Sequence, residues 1–488
     1  MSAPEPAVSR LPSPLTLAMA VIVTLLVAVA LVHNLTDADY FWHLATGHLI
    51  AERGAVPSTD PFSFTWGGPW VAHEWLGEVL IHLLVTVAGG TLTMVVFGAV
   101  AGASIWLSAI TAMRLGARTL PTVLAASVAA VILIPFVTVR PQVLSWLLLA
   151  GLVFLLRALS AEHPRRALWL GPLFLLWANL HGLWVVGLGC VVVYGLFTLA
   201  GRTPMSTARG WLLGGAGLAV VAVMLTPAGP AGILYPLRYI EPGDWGLANI
   251  AEWQSPDFHD PAHIGLLILV VGLAAVGIGR RVPAWLASVA LIGLVLSLVS
   301  LRNEPIAAIW CLPLLAVGLD GRWSARATAR SLQHARQRRL LELGLAGISI
   351  LAILAILVPR IQPTDVAIAR AGLPVDGVTY LANEMPDARV FAEYGWAGYV
   401  IDRLSGTGGT VFVDGRNDMY PDDVLDAYSS IREATGAWGE QLAERGVDAI
   451  LVAPSAPLAA AAAAGDSGWC AAVEDASQVL LVRCATAD

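Results

Sequence analysis

The chain has 488 residues, a formal net charge of -7, 57% hydrophobic and 13% charged residues, and a mean hydropathy of +0.72. Soluble domains carry about 25% charged and about 45 to 50% apolar residues, so an ordinary cytosolic enzyme is excluded. Apolar runs of about 18 residues or more, the length that crosses a hydrocarbon core of about 30 Å, recur from Leu15 to Val358 and define a polytopic membrane protein.

Leu15 to Val32 reads as an uncleaved first membrane helix, because no small-residue cleavage site precedes the polar segment. A polar interval from His33 to about Val71 follows, too long and too rich in Asp, Pro and Gly for a tight turn, and it predicts a structured first loop. Within it, Asp37 to Arg53 predicts a short surface-lying helix with Phe41, Leu44, Ala45, His48 and Leu49 on one side, stopped by Gly54, Pro57 and the turn residues at 58–61. Further spans are predicted at about 75–88, 91–113, 120–138, 141–159, 166–180, 182–201, 210–227, 263–280, 283–300, 305–319 and 339–359. A second long polar interval, from about Pro227 to His263, carries the aromatic and acidic stretch GDWGLANIAEWQSPDFHD at 243–260.

The arginine-rich run from Arg322 to Arg339 and the short N-terminus should be cytoplasmic. An even number of crossings must then separate them, whereas eleven spans are found. One of the short spans, 75–88 or 166–180, is therefore expected not to cross. The last helix then delivers the C-terminal region to the outer side, together with the first loop. Residues 1–360 form the membrane domain in this reading, and 364–488 a small soluble α/β domain. Its strands are predicted at 390–392, 410–413, 449–452 and 479–482, its helices at 421–434 and 438–445, with an alanine run at 459–464 that forms helix. Cys190 and Cys311 sit in apolar runs; Cys470 and Cys484 are the one pair open to a disulfide, which spacing alone does not establish.

Asp37 and Asp39 lie directly after the first helix with Tyr40, Trp42 and His43. Two carboxylates at the start of a surface helix can serve as general base and as electrostatic or metal-binding partner toward a phosphate-bearing lipid; the competing reading is helix N-capping. His73 and Glu74 open the next apolar run, and Glu74, Glu78 and His82 share one helical face, which should line a cavity or meet the first loop, the competing reading being a merely structural hydrogen-bonded stripe. Arg140 with Gln142, and Asn179 with His181, interrupt later spans; an apolar hairpin gains nothing from a buried Asn or His without partners. Glu252, Trp253, Asp257 and His259 are placed to cover a site, and Arg302 beside Asn303 offers a bidentate grip on phosphate oxygens. In the C-terminal region, Asp414-Gly415-Arg416 after a strand is a ligand loop or a tight turn with positive φ at Gly415. No nucleotide-binding loop, zinc pattern or Gly-Xaa-Ser-Xaa-Gly elbow occurs, which removes support for ATP-driven transport and serine hydrolysis.

This order of features resembles the GT-C type membrane glycosyltransferases that use polyprenyl-phosphate sugars. The acidic motif TDADYFWHL matches their loop motif, and FWHLATGHLIAERG, STDPFSFTWGG, HEWLGEVL, WANLHG and DGRNDMY look like a group of bacterial membrane proteins allied with that superfamily. The resemblance implies a mainly α polytopic protein with a surface-lying loop helix and a small C-terminal α/β domain. It implies a transferase at the outer face of the bacterial cytoplasmic membrane, passing sugar from a polyprenyl-phosphate donor to an envelope glycan, lipid or protein, with a divalent metal as candidate cofactor and no nucleic-acid partner. Asp37 is the expected base and Asp39 its partner, with the reverse assignment open. His43, His73, Glu74, Arg140, Asn179, His181, Glu252 and Arg302 are the expected substrate-binding residues. The alternative is a non-catalytic scaffold or transport component of an envelope polysaccharide pathway; a transporter should show paired charges or broken helices in two matching halves, and no such symmetry is visible.

Overall fold

The computed structural model describes residues 14–33, 37–235, 245–324, 335–360, 372–464 and 467–484. Most of the arginine-rich run at 322–339, and residues 361–371 ahead of the C-terminal region, lie outside the described residues. The membrane part comprises α1 (Pro14–His33), α2 (Tyr40–Arg53), α3 (Trp75–Arg114), α4 (Thr119–Leu133), α5 (Pro141–Arg157), α6 (Leu170–Leu180) and α7 (Trp184–Leu199), then α8 (Arg209–Val223), α9 (Trp245–Asn249), α10 (Ile264–Val276), α11 (Ala284–Val299), α12 (Glu304–Ser324) and α13 (Ala335–Leu357). Four stretches are long and apolar enough to span a bilayer by themselves: Pro14–Val32, Trp75–Arg114, Thr119–Phe136 and Leu301–Arg322. Shorter apolar helices pack among them. Leu196, Leu213 and Val299 stay largely exposed on the outside of the bundle, where lipid replaces water as the solvent, while α12 is buried along most of its length.

α3 bears on the odd span count. Its 40 residues are broken at Gly89, whose φ of 78° and ψ of 163° suit only glycine. The part before the break starts beside α5 and α6: a Cβ on Gly77 would lie 2.8 Å from the Pro141 side chain and 2.9 Å from Leu180 O. After the break, Gly90 lies near the Tyr40 hydroxyl at the start of α2. The two ends of 75–88 thus lie beside the start of α5 and the start of α2, and this is one of the two short spans expected not to cross. Removing it turns the eleven expected crossings into ten. At the opposite end of the bundle, Asp320 gathers Arg118, at 2.6 Å, and Arg281, and Arg322 donates to Ala275 O at 2.7 Å.

The surface helix α2 ends as its sequence predicts, with Gly54 left-handed and its N–H returning to Ile50 O. Its buried set differs from the amphipathic reading. His43, Thr46 and Gly47 are buried while His48 is exposed, because α2 is covered on more than one side: by 75–88 and by a helix of the C-terminal region.

That region holds α14 (Val375–Glu384), α15 (Ala397–Leu404), α16 (Asp422–Arg432), α17 (Trp438–Glu444) and α18 (Pro457–Ala462) around strands β1 (Arg389–Ala392), β2 (Thr410–Val411), β3 (Ala449–Val452), β4 (Trp469–Glu474) and β5 (Val479–Arg483). The sheet order is β2-β1-β3-β5-β4, parallel through β2, β1 and β3 and antiparallel beyond. Cys470 and Cys484 form a disulfide across the β4–β5 edge. The first loop adds itself to the other edge. Val411 N donates to Phe62 O at 2.9 Å, Phe64 N donates to Val411 O at 3.2 Å, and Thr65 Oγ1 donates to Phe412 O. The exposed edge of β2 is thereby satisfied by the membrane part, which fixes the C-terminal sheet over the first loop.

Candidate active site

The acidic pair is not used for capping. Asp39 occupies the N-cap position of α2 yet makes no side-chain cap hydrogen bond. Its Oδ1 accepts the Trp42 indole N–H at 2.9 Å, while Asp37 Oδ1 accepts the Asp39 backbone N–H at 3.0 Å. Arg140, at the start of α5, binds three carboxylates: Nε donates to Asp37 Oδ2 at 2.5 Å, Nη1 donates to Glu252 Oε1 at 2.8 Å, and Nη2 lies 3.2 Å from Asp39 Oδ2. Burial would raise Asp37, but Arg140 outweighs it, helped by Asp39 N–H and the Thr138 hydroxyl, and holds the carboxyl below the usual carboxylate range. Asp39 is different. Burial, opposed by Arg140 and reinforced by the charges of Asp37 and Glu252, pushes it up to about 6. Its side chain keeps 23% of its surface exposed, against 3% for Asp37.

A second cluster lies behind this pair. His43 places Nδ1 3.3 Å from Glu78 Oε1 and Nε2 3.7 Å from Glu74 Oε2, and His73 and His181 bring Nε2 to 3.4 and 3.3 Å from Glu74 Oε1. The Glu74–Glu78 stripe thus meets the first loop through His43. His181 Nδ1 accepts the Leu183 N–H at 3.1 Å, so its proton sits on Nε2 and points at Glu74. Burial lowers His43 to about 4 and His181 to about 3. It would lower His73 too, but the facing Glu74 carboxylate outweighs it and raises that imidazole. Burial likewise works against ionised Glu74, and the imidazoles of His181, His73 and His43 overcome it and lower its pKa.

The C-terminal sheet supplies the roof. After β2 the chain turns through Asp414 to Asp418 and enters the site. Arg416 is clamped: Nε and Nη2 donate to Asp414 Oδ1 and Oδ2 at 2.8 and 2.6 Å, Nη1 lies 2.9 Å from Asp60 Oδ1, and the guanidinium covers Trp70 and Phe62 at 4.6 and 4.9 Å. Asp60, Phe62 and Trp70 belong to the first loop, so this cation couples loop and sheet. Gly415 has no positive φ, contrary to the tight-turn reading. Glycine is needed there for closeness, because a Cβ would lie 2.2 Å from Asp39 Oδ1 and 2.9 Å from Trp42 Nε1. Asp418 accepts the Tyr235 hydroxyl and is pushed up to about 6 by burial.

Three adjoining chambers result. A small one of about 50 Å³ is bounded by Asp39, Glu74, Arg302 and the 415–418 turn. Arg140 and Gln142 separate it from a chamber of about 390 Å³ reaching Asp37, Phe136 and Glu252. On the other side, His73 is shared with a largely apolar chamber of about 230 Å³ bounded by Trp70, Trp75, Trp184, Val223 and Tyr235. Of the expected site residues, Asp37, Asp39, His43, His73, Glu74, Arg140, His181, Glu252 and Arg302 converge on these spaces. Asn179 does not. Its Oδ1 accepts the Trp75 indole N–H at 2.8 Å and its amide donates to Leu175 O and Leu225 O, which makes it a strut between helices. Residues 257 and 259 pair with each other on the exposed surface.

Asp60, Phe62, Trp70 and Asn417 were not anticipated. Asp60, Phe62 and Asn417 lie in the STDPFSF and DGRND stretches, which local reading takes for turns, and Trp70 carries no signal of its own.

The fold has solved counterparts. ArnT from Cupriavidus metallidurans in the apo state aligns with a TM-score of 0.56 at 14% identity over 96% of this chain and 97% of that one. ArnT from the same organism bound to undecaprenyl phosphate gives 0.51 and 13% over 96% and 98%. A mutant of the arabinofuranosyltransferase AftD from Mycobacteria gives 0.54 and 17% over 98% of this chain and 42% of that one. No protein-family model and no curated protein matches the sequence. The chain therefore has the polytopic fold of these membrane proteins, as its resemblance to the GT-C superfamily implied.

Proposed function

We propose that the protein is a membrane glycosyltransferase that moves a sugar from a polyprenyl-phosphate donor to an envelope glycan, lipid or protein at the outer face of a bacterial cytoplasmic membrane. The observation that carries this reading is the meeting of an accessible carboxylate, Asp39, with Arg302 and His73 in one chamber beside an apolar chamber, at the membrane boundary. The arginine-bearing end of the bundle is then cytoplasmic. The Cys470–Cys484 disulfide supports an oxidising, outer location for the C-terminal sheet.

Asp39 is assigned as the base, the reverse of the first expectation. Asp37 is buried and spent on Arg140, whereas Asp39 is reachable and its pKa of about 6 suits proton abstraction near neutral pH. In the reaction, Asp39 takes the proton of the acceptor hydroxyl as its oxygen bonds to the anomeric carbon. The bond from that carbon to the phosphate oxygen breaks, and its electron pair leaves with the polyprenyl phosphate. Arg302, 29% exposed and held by Glu252 only through a long 3.7 Å contact, and His73, whose imidazole the Glu74 carboxylate biases toward its protonated form, are placed to hold the phosphate. Arg140, already bound to three carboxylates, positions the acidic pair. The apolar chamber takes the first isoprene units.

Photoreactive polyprenyl phosphate in reconstituted membranes tests the donor site. Labelling should map to the apolar chamber, be competed by undecaprenyl phosphate and weaken at least tenfold in Arg302→Ala. Labelling that undecaprenyl phosphate does not compete removes the donor assignment.

A further inference from the structure

One oxygen atom in the His–Glu cluster is left unsatisfied among the described residues. Glu78 is 1% exposed, and its Oε2 has no hydrogen-bond partner among the described residues. A buried carboxylate oxygen in that state is costly, so its neighbours carry the explanation. His43, Glu74 and Glu78 each present a ligand atom such that all three lie within 4.8 Å of one another, and all three are buried. An ion with bonds of about 2.1 Å holds ligand atoms about 3.4 Å apart in a tetrahedron and about 4.2 Å apart across an octahedron, so small side-chain movements suffice.

The hydrogen-bond inventory leads to the same place. A neutral imidazole has one N–H, yet both nitrogens of His43 face carboxylate oxygens, Glu78 Oε1 at 3.3 Å and Glu74 Oε2 at 3.7 Å. One of these contacts sets a lone pair against a carboxylate oxygen unless a proton or a cation lies between them, and a metal ion there would also satisfy the unpartnered Glu78 Oε2. Glu74 is oriented by His181, whose proton is fixed on Nε2, and by His73, the kind of outer support that metal-binding carboxylates receive. The backbones are also pressed together: a Cβ on Gly47 of α2 would lie 2.1 Å from Glu78 O, so the ligands are held on two helices that cannot drift apart.

The geometry points to a divalent transition-metal site formed by one nitrogen of His43 with the carboxylates of Glu74 and Glu78, tying α2 to the segment 75–88. Imidazole with two carboxylates suits Zn²⁺ or Mn²⁺ better than Mg²⁺ or Ca²⁺, which take all-oxygen shells. The ion neutralises two buried carboxylates and fixes the helix whose first residues follow Asp39. This inference goes beyond the sugar-transfer reading and stands or falls without it.

The test uses the full chain in lipid nanodiscs, stripped with a chelator, incubated with Zn²⁺ or Mn²⁺ and freed of excess. Elemental analysis should find one ion per chain, retained against a large excess of Mg²⁺. His259→Ala, which removes an exposed imidazole, should leave that stoichiometry unchanged, and His43→Asn/Glu78→Gln should abolish it. Independently of any variant, loading the wild-type chain should slow amide exchange in residues 40–53 and 74–82. A wild-type chain that retains no ion, a double variant that binds as the wild type does, or loading that leaves exchange in both segments unchanged overturns the assignment.

Discussion

Removing the guanidinium of Arg416 should unhook the C-terminal sheet from the first loop. The side chain is 1% exposed, and the carboxylates of Asp60 and Asp414 are both 0% exposed. The Asp414 contact is a two-pronged hydrogen bond, whereas the Asp60 contact at 2.9 Å is an ion pair without hydrogen-bond geometry. Arg416→Ala therefore strands two buried carboxylates close together and also loses the cation over Trp70 and Phe62. Breaking a buried pair by removing one partner costs about 3 to 5 kcal/mol. At about 1.4 kcal/mol per factor of ten, local opening at 60–70 and 410–418 should become more frequent by two to nearly four powers of ten, roughly. Amide exchange by mass spectrometry on the reconstituted chain reads this directly. The triple variant Asp60→Asn/Asp414→Asn/Arg416→Met removes the stranded charges and should recover most of the protection. Arg416→Ala exchange within tenfold of wild type in both segments would refute the clamp.

Other consequences follow from the site. Transfer measured as kcat/KM should fall about tenfold per pH unit below about 6, because Asp39 must be deprotonated to act and its pKa is about 6; a flat profile from pH 7 to pH 5 contradicts its role as base. Gly415→Ala places a Cβ 2.2 Å from Asp39 Oδ1, so the roof must retreat and transfer should drop more than tenfold, whereas Gly395→Ala, with open space around it, should stay near wild type. Cys484→Ser should lower the stability of the C-terminal sheet by about 3 kcal/mol, the value for closing a loop of about 15 residues, measured by denaturant-dependent proteolysis. A shift of less than about 0.5 kcal/mol would show that the disulfide does not constrain the sheet.

Much of the membrane architecture is legible because hydropathy reports it directly. The parity argument narrows the miscount to 75–88 or 166–180, and the break at Gly89 separates 75–88 from the rest of α3. The strands at 390–392, 449–452 and 479–482 appear where apolar runs of strand length place them, while β4 is missed because Ala471 and Ala472 give it little hydrophobic contrast. Asp37, Asp39, Glu74, Arg140 and His181 could be picked from sequence since buried ionisable groups at span ends need partners. Asn179 satisfied the same criterion for a different reason, as a strut. What local reading cannot supply is the long-range pairing of residues 62–65 with β2. That pairing brings residues 414–418 onto residues 39–42, and it turns an apparent Asp-Gly turn into the roof of the site.

Sugar transfer in membranes from a panel of radiolabelled polyprenyl-phosphate sugars, with wild type, Asp37→Asn and Asp39→Asn matched for expression, tests the central claim most directly. The account predicts transfer from one donor class, lost in Asp39→Asn and weakened in Asp37→Asn through a misplaced Arg140. Transfer by the wild type that persists unchanged in Asp39→Asn would contradict it.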